Sequence, residues 1–402
     1  MKYFCYLICL FYLVSSCRRD EQLSDELIVD PPIIPHIYIN IENQEEVISK
    51  KNYLGATIFI DGKNQYENFT GITEIRGRGN TSWDYPKKPY RIKLEKESNL
   101  FGLAPYKSWI LLAEYLDGSM LYNSIPFEMA KLLGIPYTNH IIPVELTIND
   151  KYRGIYAFTE HKEVGPNRID IGENGLLLEL DSYFDEDWKF KSTHFDLPIM
   201  VAHPEDLNTE KLSQIKMEFE EFEALVADSH FPNNQYLNYF DDESFVNYML
   251  IYKLTQNREI NYPKSVYINK LPEGKYRMGI IWDFDWAFGY SYSEQHYDIN
   301  NVYRSIFVDN SMPGKDFFSK IMTDPHMQNL FKQKWTEFKV LHFANLKNHI
   351  RSYAQLIEQG IEADHEIWGK RDSSGNIKTD LQNVLEWLDA RADYIDEYVN
   401  SF

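Results

Sequence analysis

Two carboxylates one residue apart, in Ile280-Ile281-Trp282-Asp283-Phe284-Asp285-Trp286-Ala287-Phe288-Gly289, follow an apolar run and precede an aromatic-glycine turn. Met278 to Trp282 has the character of a buried strand, and a carboxylate at its end is costly unless a cation or hydrogen bonds satisfy it. Two hard oxygen ligands with few other protein groups suit Mg²⁺ or Mn²⁺, which keep waters and share their remaining positions with phosphates. Asp283 and Asp285 are therefore candidate metal ligands. The other reading is a turn cap, a role in which Asp is favoured.

A second segment carries the opposite charge. Between Arg76 and Lys96 stand seven basic residues (Arg76, Arg78, Lys87, Lys88, Arg91, Lys93 and Lys96) against Asp84 and Glu95, in a chain whose formal charge is −20. Gly77 and Gly79 permit close backbone approach, so amide donors and guanidinium groups can converge on phosphate oxygens. The alternative is a tight turn in a solvated basic hairpin, with Trp83 and Tyr90 as core anchors. Alternation in Tyr90-Arg91-Ile92-Lys93-Leu94 puts Arg91 and Lys93 on one face of a strand. Arg76, Arg78, Lys88, Arg91 and Lys93 are the candidate phosphate contacts.

The elements that must hold these groups read as strands first and helices last. Ile37–Ile41, Ala56–Ile60, Gly71–Ile75 and Tyr90–Leu94 have strand character. A helix is expected over Ser119–Leu133, ending at Gly134 with Pro136 beyond. Ile141–Ile148 and Arg153–Thr159 flank Asn149-Asp150-Lys151-Tyr152 as a hairpin, and Gly175–Asp181 is a buried strand. Glu210–Asp228 and Asp242–Gln256 are amphipathic helices. Ser265–Asn269 and Tyr276–Trp282 form a second hairpin around Pro272-Glu273-Gly274 that delivers Asp283 to its end. Helices follow over Asp316–Met322, Met327–Gln359 (with a break) and Thr379–Val399. The fold class is α+β, one domain over 37–402 that is helical across 291–402.

Composition narrows the function. A hydrophobic fraction of 44% supports a sizeable core, and the net negative charge argues against nucleic acid as a partner. The three cysteines, Cys5, Cys9 and Cys17, lie in the first 17 residues. Lys2, the apolar stretch Tyr3–Val14 and Val14-Ser15-Ser16-Cys17 have the layout of a leader too short to span a bilayer. Val-Ser-Ser-Cys resembles a bacterial lipoprotein signal, which implies a leader over 1–16 and a lipidated Cys17; an ordinary signal peptide is the alternative. Residues 17–36 read as a polar, proline-ended tether. The expected location is the cell envelope, with the membrane as a partner through acylated Cys17. Cysteine chemistry downstream is excluded.

Ile75-Arg76-Gly77-Arg78-Gly79-Asn80-Thr81-Ser82-Trp83 followed by Pro86-Lys87-Lys88-Pro89-Tyr90-Arg91-Ile92-Lys93-Leu94 closely resembles the opening motif of the spore coat protein H (CotH) kinase family. Trp109–Ala113, Asp117–Asn123, Arg153–Glu160, Leu176–Asp181 and Trp282–Gly289 follow in that family's order, over residues 37 to 300. The resemblance implies an atypical protein-kinase-like fold, with a strand-rich and a helix-rich lobe enclosing ATP and divalent metal. It also implies phosphorylation of Ser/Thr on extracytoplasmic proteins. Lys93 takes the strand position of an ATP-pairing lysine. Glu160 either pairs with a cation or helps hold metal, or is an exposed strand-end acid. Glu179-Leu180-Asp181 either links the lobes and meets adenine, or is a buried strand with incidental acids. Lys264 stands near the transferred phosphate, and Asp283 carries the metal.

One departure divides the functional readings. The family places an aspartate in Asn-x-Asp as its presumed catalytic acid; here Asn257-Arg258-Glu259 puts Arg258 at that position. Glu259 is the nearest acid and the candidate base. The chain is then either an active kinase using Glu259, or a surface lipoprotein that kept the nucleotide site and lost phosphotransfer. Scattered tyrosines after the metal motif leave a glycan groove as a lesser possibility.

Overall fold

Alternating apolar residues in the first strands close into a barrel. The computed structural model describes residues 33–290, 295–369 and 371–402; the leader, Cys17 and the tether as far as residue 32 lie outside them. Strands β1 (His36–Ile41), β2 (Leu54–Asp61), β3 (Phe69–Gly77), β4 (Tyr90–Ser98), β5 (Tyr106–Leu112), β6 (Ile142–Ile148) and β7 (Lys151–Glu160) form a closed sheet in the order β1-β2-β3-β4-β5-β7-β6. β1 closes it, pairing antiparallel with β2 and parallel with β6, His36 opposite Glu145. Ile37, Ile39 and Ile41, then Ile58 and Ile60, then Ile92 and Leu94, fill the interior with Trp109 and Phe158. Closure leaves no exposed edge in this sheet. The β6–β7 turn is Asn149-Asp150, both at positive φ (49° and 58°), the conformation a two-residue hairpin demands and these residues tolerate.

Two helices interrupt the barrel strands, α1 (Thr81–Asp84) and α2 (Ser124–Leu132). The helix expected from Ser119 begins five residues later. Asp117 accepts from the amides of Ser119 (2.8 Å), Leu121 (2.8 Å) and Tyr122 (2.9 Å), which holds 117–122 in a non-helical loop.

Beyond the barrel, β8 (Leu176–Leu180), β9 (Lys189–Lys191), β10 (Pro198–His203), β11 (Val266–Lys270) and β12 (Arg277–Met278) form an antiparallel sheet in the order β12-β11-β8-β10-β9. The apolar run toward Trp282 is a strand only at Arg277–Met278. Gly279 turns at φ 124° and its carbonyl accepts from Asn269 Nδ2 (2.9 Å), so the ladder stops and residues 279–283 approach the cleft as irregular chain.

The helices are α3 (Thr209–Ala227), α4 (Asp242–Thr255), α5 (Pro313–Ile321), α6 (Pro325–Leu341), α7 (Phe343–Trp368) and α8 (Ile377–Asn400). α4 is buried at every position from Phe245 to Thr255, which makes it the axis of this half. Its ends are specified locally: Asp241 caps the Ser244 amide, and Gln256 closes the helix in the left-handed conformation (φ 52°). The expected break within 327–359 falls at His342. Fold class is α+β as expected, strand-rich first and helix-rich last.

A buried ion pair ties the barrel to α7. Lys87 Nζ donates to Asp364 Oδ1 (2.5 Å) and to the Ile155 carbonyl (2.6 Å), while the Ile155 amide donates to the same carboxylate oxygen (2.9 Å). Gly154, at φ 86°, makes room, since a Cβ there would lie 2.1 Å from Asp364 Oδ1. Among the described residues, no helix is long and apolar enough to cross a membrane.

Candidate active site

Barrel, second sheet and the 283–289 loop enclose a cleft of about 780 Å³. The barrel contributes Arg76, Arg78 and Arg91; the segment leaving β7 contributes His161, Lys162, Glu163 and Val164; the sheet contributes Glu179 and Asp181. Glu259, Lys264, Asp283 and Asp285 complete the polar wall.

The carboxylate loop is pinned by its aromatic residues and its carbonyls. Trp282, Phe284 and Phe288 are buried, so Asp283 and Asp285 between them line the cleft. Asp283 adopts a left-handed backbone at φ 62°, a conformation that costs a non-glycine residue roughly 1–3 kcal/mol and persists only where its surroundings enforce it. Asn257 Nδ2 donates to the Asp283 carbonyl (3.2 Å), and the Phe288 amide donates to the Thr255 carbonyl (2.6 Å). Both anchors sit at the end of α4.

Charge in this site is unbalanced. Burial pushes the Asp285 carboxyl well above the usual carboxylate range, and Asp283, with which it is hydrogen-bonded, adds to that push. Glu259 is half-buried as a residue, yet its Oε2 is shut off from solvent with no hydrogen-bond partner. Burial raises its pKa well above the ordinary value; Asp283 and Asp285 reinforce this and Lys264 opposes it. Glu114, also lining the cleft, is pushed up to about 8 by burial and then by Asp117, while its Oε1 accepts from Asn123 Nδ2 (3.2 Å).

These carboxyls fit a hard divalent cation. Two adjacent carboxyl groups that hydrogen-bond each other must share a proton or meet positive charge, and Mg²⁺ or Mn²⁺ takes few protein oxygens when phosphates complete its shell. Among the described residues, no group of three or more His, Cys, Asp and Glu is arranged to hold a metal alone. The donor set therefore suits a cation shared with a phosphate ligand rather than one caged by protein.

The cations facing the carboxyls are held by aromatic rings. Arg78 lies over Trp282 at 5.6 Å; burial lowers its pKa, against the pull of Asp283, Asp285 and Glu179. Lys162 donates to the Tyr267 hydroxyl, lies 3.6 Å from Glu179 Oε1 and sits 5.1 Å from the Trp282 ring. Burial lowers its pKa too, and Glu179 is the main opposing charge. Lys264 lies 5.2 Å and 5.4 Å from the rings of Tyr183 and Trp286. Arg91 bonds Ser108 Oγ (3.1 Å), and Arg76 bonds the Lys50 carbonyl.

Of the twelve residues expected to bind cofactor or metal or to catalyse, nine line this cleft and three are placed elsewhere by the fold. Lys93 shares the outer face of β4 with Arg91 but is exposed, further along the strand from the cleft. Lys88 Nζ bonds the Trp83 carbonyl (2.6 Å) and lies over that ring. Glu160 accepts from the His140 amide (2.8 Å) and Nδ1 (2.6 Å), anchoring the entry to β6. Glu179 and Asp181 do line the cleft, but Glu179 is within β8; the segment joining barrel to sheet is 161–175. Lys162 stands in the cleft, where the resemblance implied Lys93. Its signal is the change from apolar strand to His161-Lys162-Glu163 directly after β7.

The Gly-rich motif is a built turn. Gly79 has φ 83°, with Ser82 Oγ where its Cβ would be, and a Cβ on Gly77 would collide with the Trp83 ring at 2.3 Å. Side chains there would displace α1 and, with it, the approach of Arg78 to the cleft.

A basic turn and a paired-carboxyl loop anchored at the end of the central helix converge on this one cleft. The CotH kinase protein family matches residues 75–395, and the chain belongs to that family. A search of curated proteins found no match.

Proposed function

We propose that the cleft binds ATP with Mg²⁺ or Mn²⁺ in the manner of an atypical kinase and transfers the γ-phosphoryl group to Ser or Thr of extracytoplasmic proteins. The observation that carries this reading is the hydrogen-bonded pair Asp283–Asp285 facing Arg78 and Lys162 in one cleft. Phosphoryl transfer needs that combination: carboxylates for metal and fixed cations for phosphate oxygens.

In this reading Arg78 and Lys162 bind phosphate oxygens, with Arg91 and Arg76 at the barrel side. Asp283 and Asp285 would hold the divalent cation, which supplies positive charge against the developing charge of the transferred group. The acceptor oxygen bonds to phosphorus as the bridging bond to ADP breaks, and Glu259 takes the hydroxyl proton. For that, Glu259 must be ionised. Asp283 and Asp285 oppose its ionisation, while positive charge between them and Lys264 favours it. The lipoprotein-like sequence ending in Val14-Ser15-Ser16-Cys17 supports a cell-envelope location for this activity, with the chain tethered to membrane through an acylated Cys17.

A second reading rests on Arg258 standing where the family carries aspartate. There the chain binds nucleotide and metal without transferring phosphate. Purified mature protein is incubated with γ-labelled ATP and Mn²⁺, and melting is followed with and without both ligands, beside Asp283→Ala. The kinase reading expects a raised midpoint and labelled protein from wild type alone. A raised midpoint with no label on itself or on an extracytoplasmic protein pool supports the binding reading; identical behaviour of wild type and Asp283→Ala defeats both.

A further inference from the structure

The carboxylate loop is also held from far along the chain. His296 Nε2 lies 2.7 Å from the Asp285 carbonyl oxygen. A carbonyl only accepts, so Nε2 is the donor. On the other side of the ring, Asp372 Oδ2 lies 2.7 Å from Nδ1 and also accepts from the His296 backbone amide at 3.0 Å. The His296 side chain is fully buried and that of Asp372 is 6% exposed, so solvent does not compete for these bonds. The ring stacks on Tyr122 at 5.6 Å and 14°.

Asp372 sits in the α7–α8 connection, which is itself tied down. Ser373 Oγ (2.5 Å) and the Ser374 amide (2.7 Å) both donate to Asp380 in the first turn of α8. The Arg371 carbonyl abuts Gly118, leaving no room for a Cβ there. A rigid loop thus fixes a carboxylate, which fixes an imidazole, which fixes the backbone of Asp285. Asn257 does the same for the Asp283 carbonyl. Two ionised carboxylates side by side repel, so a loop presenting both to one cation needs both backbones restrained.

We propose that His296 and Asp372 are positioning residues that hold the Asp285 backbone so that Asp283 and Asp285 meet the same divalent cation. This rests on the assignment of those two carboxyls as the metal site. Groups that orient metal ligands from behind typically change affinity 10–100-fold when removed.

The test uses the mature protein and three variants, Asp372→Ala, Asp372→Asn and His296→Gln. Two quantities are measured: the Mn²⁺ concentration giving half of the melting shift at saturating ATP, and amide exchange across residues 283–290 without metal. Asp372→Ala should raise the half-point about tenfold or more and speed exchange in that segment. Asp372→Asn keeps a side-chain acceptor and should recover most of the affinity, which a purely packing role would not produce. A lower midpoint in Asp372→Ala with an unchanged Mn²⁺ half-point overturns the proposal, as does an unchanged half-point in a well-folded His296→Gln with unaltered exchange. A wild type that ignores Mn²⁺ defeats the metal assignment itself. Exchange at 283–290 then separates that failure from a dyad that does not hold the loop.

Discussion

Lys87–Asp364, which is buried, and Asp283–Asp285, which is half-buried in the cleft, are two pairs of ionisable groups with opposite designs. The first is complete: the ammonium has a carboxylate and a carbonyl, and the carboxylate has an ammonium and an amide. The second is two acids sharing a hydrogen bond, with Glu259 nearby bearing an unpartnered oxygen. A buried charge with every partner supplied by the chain serves the fold, whereas one whose partners the chain withholds is suited to a ligand. The molecule keeps these functions apart, one pair joining barrel to α7 and the other lining the cleft.

Breaking the complete pair should give the largest effect. Asp364→Ala leaves Lys87 buried without its counter-ion and should cost about 3–5 kcal/mol in urea unfolding. Gly154→Ala attacks the same pair sterically, through a Cβ aimed at Asp364 and a positive φ; a loss of about 1–3 kcal/mol is expected in the same measurement. The incomplete pair should respond with the opposite sign. Asp285→Asn removes a repulsive neighbour and should raise ligand-free stability by about 0.5–2 kcal/mol while abolishing the Mn²⁺-dependent melting shift. A destabilised Asp285→Asn would mean that the two sites do not differ as described.

The smallest effect at acidic pH belongs to Glu114→Gln. Glu114 has its folded pKa raised to about 8 from an ordinary 4.5, so the folded state holds the proton more tightly than the unfolded chain. Its contribution to stability is complete below about 4.5 and is lost as pH rises toward 8. Glutamine does not titrate. At pH 5 the variant should therefore melt close to wild type, and it should gain on wild type steadily up to pH 8, as read by melting midpoints across that range.

Legibility in the sequence followed the range of the interactions. The Asn149-Asp150 hairpin and the α4 ends were readable because local turn and cap chemistry fixes them, whereas the position of the break between α6 and α7 carried no such signal. The closed barrel was not, since its closure pairs His36 with Glu145 across more than a hundred positions. In the cleft, alternation correctly put Arg91 and Lys93 on one face of β4. It does not say how far along a strand the cleft reaches, and Lys93 lies beyond it. Lys88 was diverted by the Trp83 carbonyl five residues before it, and Glu160 by His140 from a separate segment. His296 and Asp372 carried no motif at all.

By itself the sequence determined which residue types are available, their strand or helix context and the family to which they belong, because those depend on neighbours in the chain. Tertiary structure alone decided that Lys162 rather than Lys93 faces Asp283. It also decided that Asp285 is held through His296 by the α7–α8 connection. Both depend on where separate elements meet, and burial then sets the charge each group can carry.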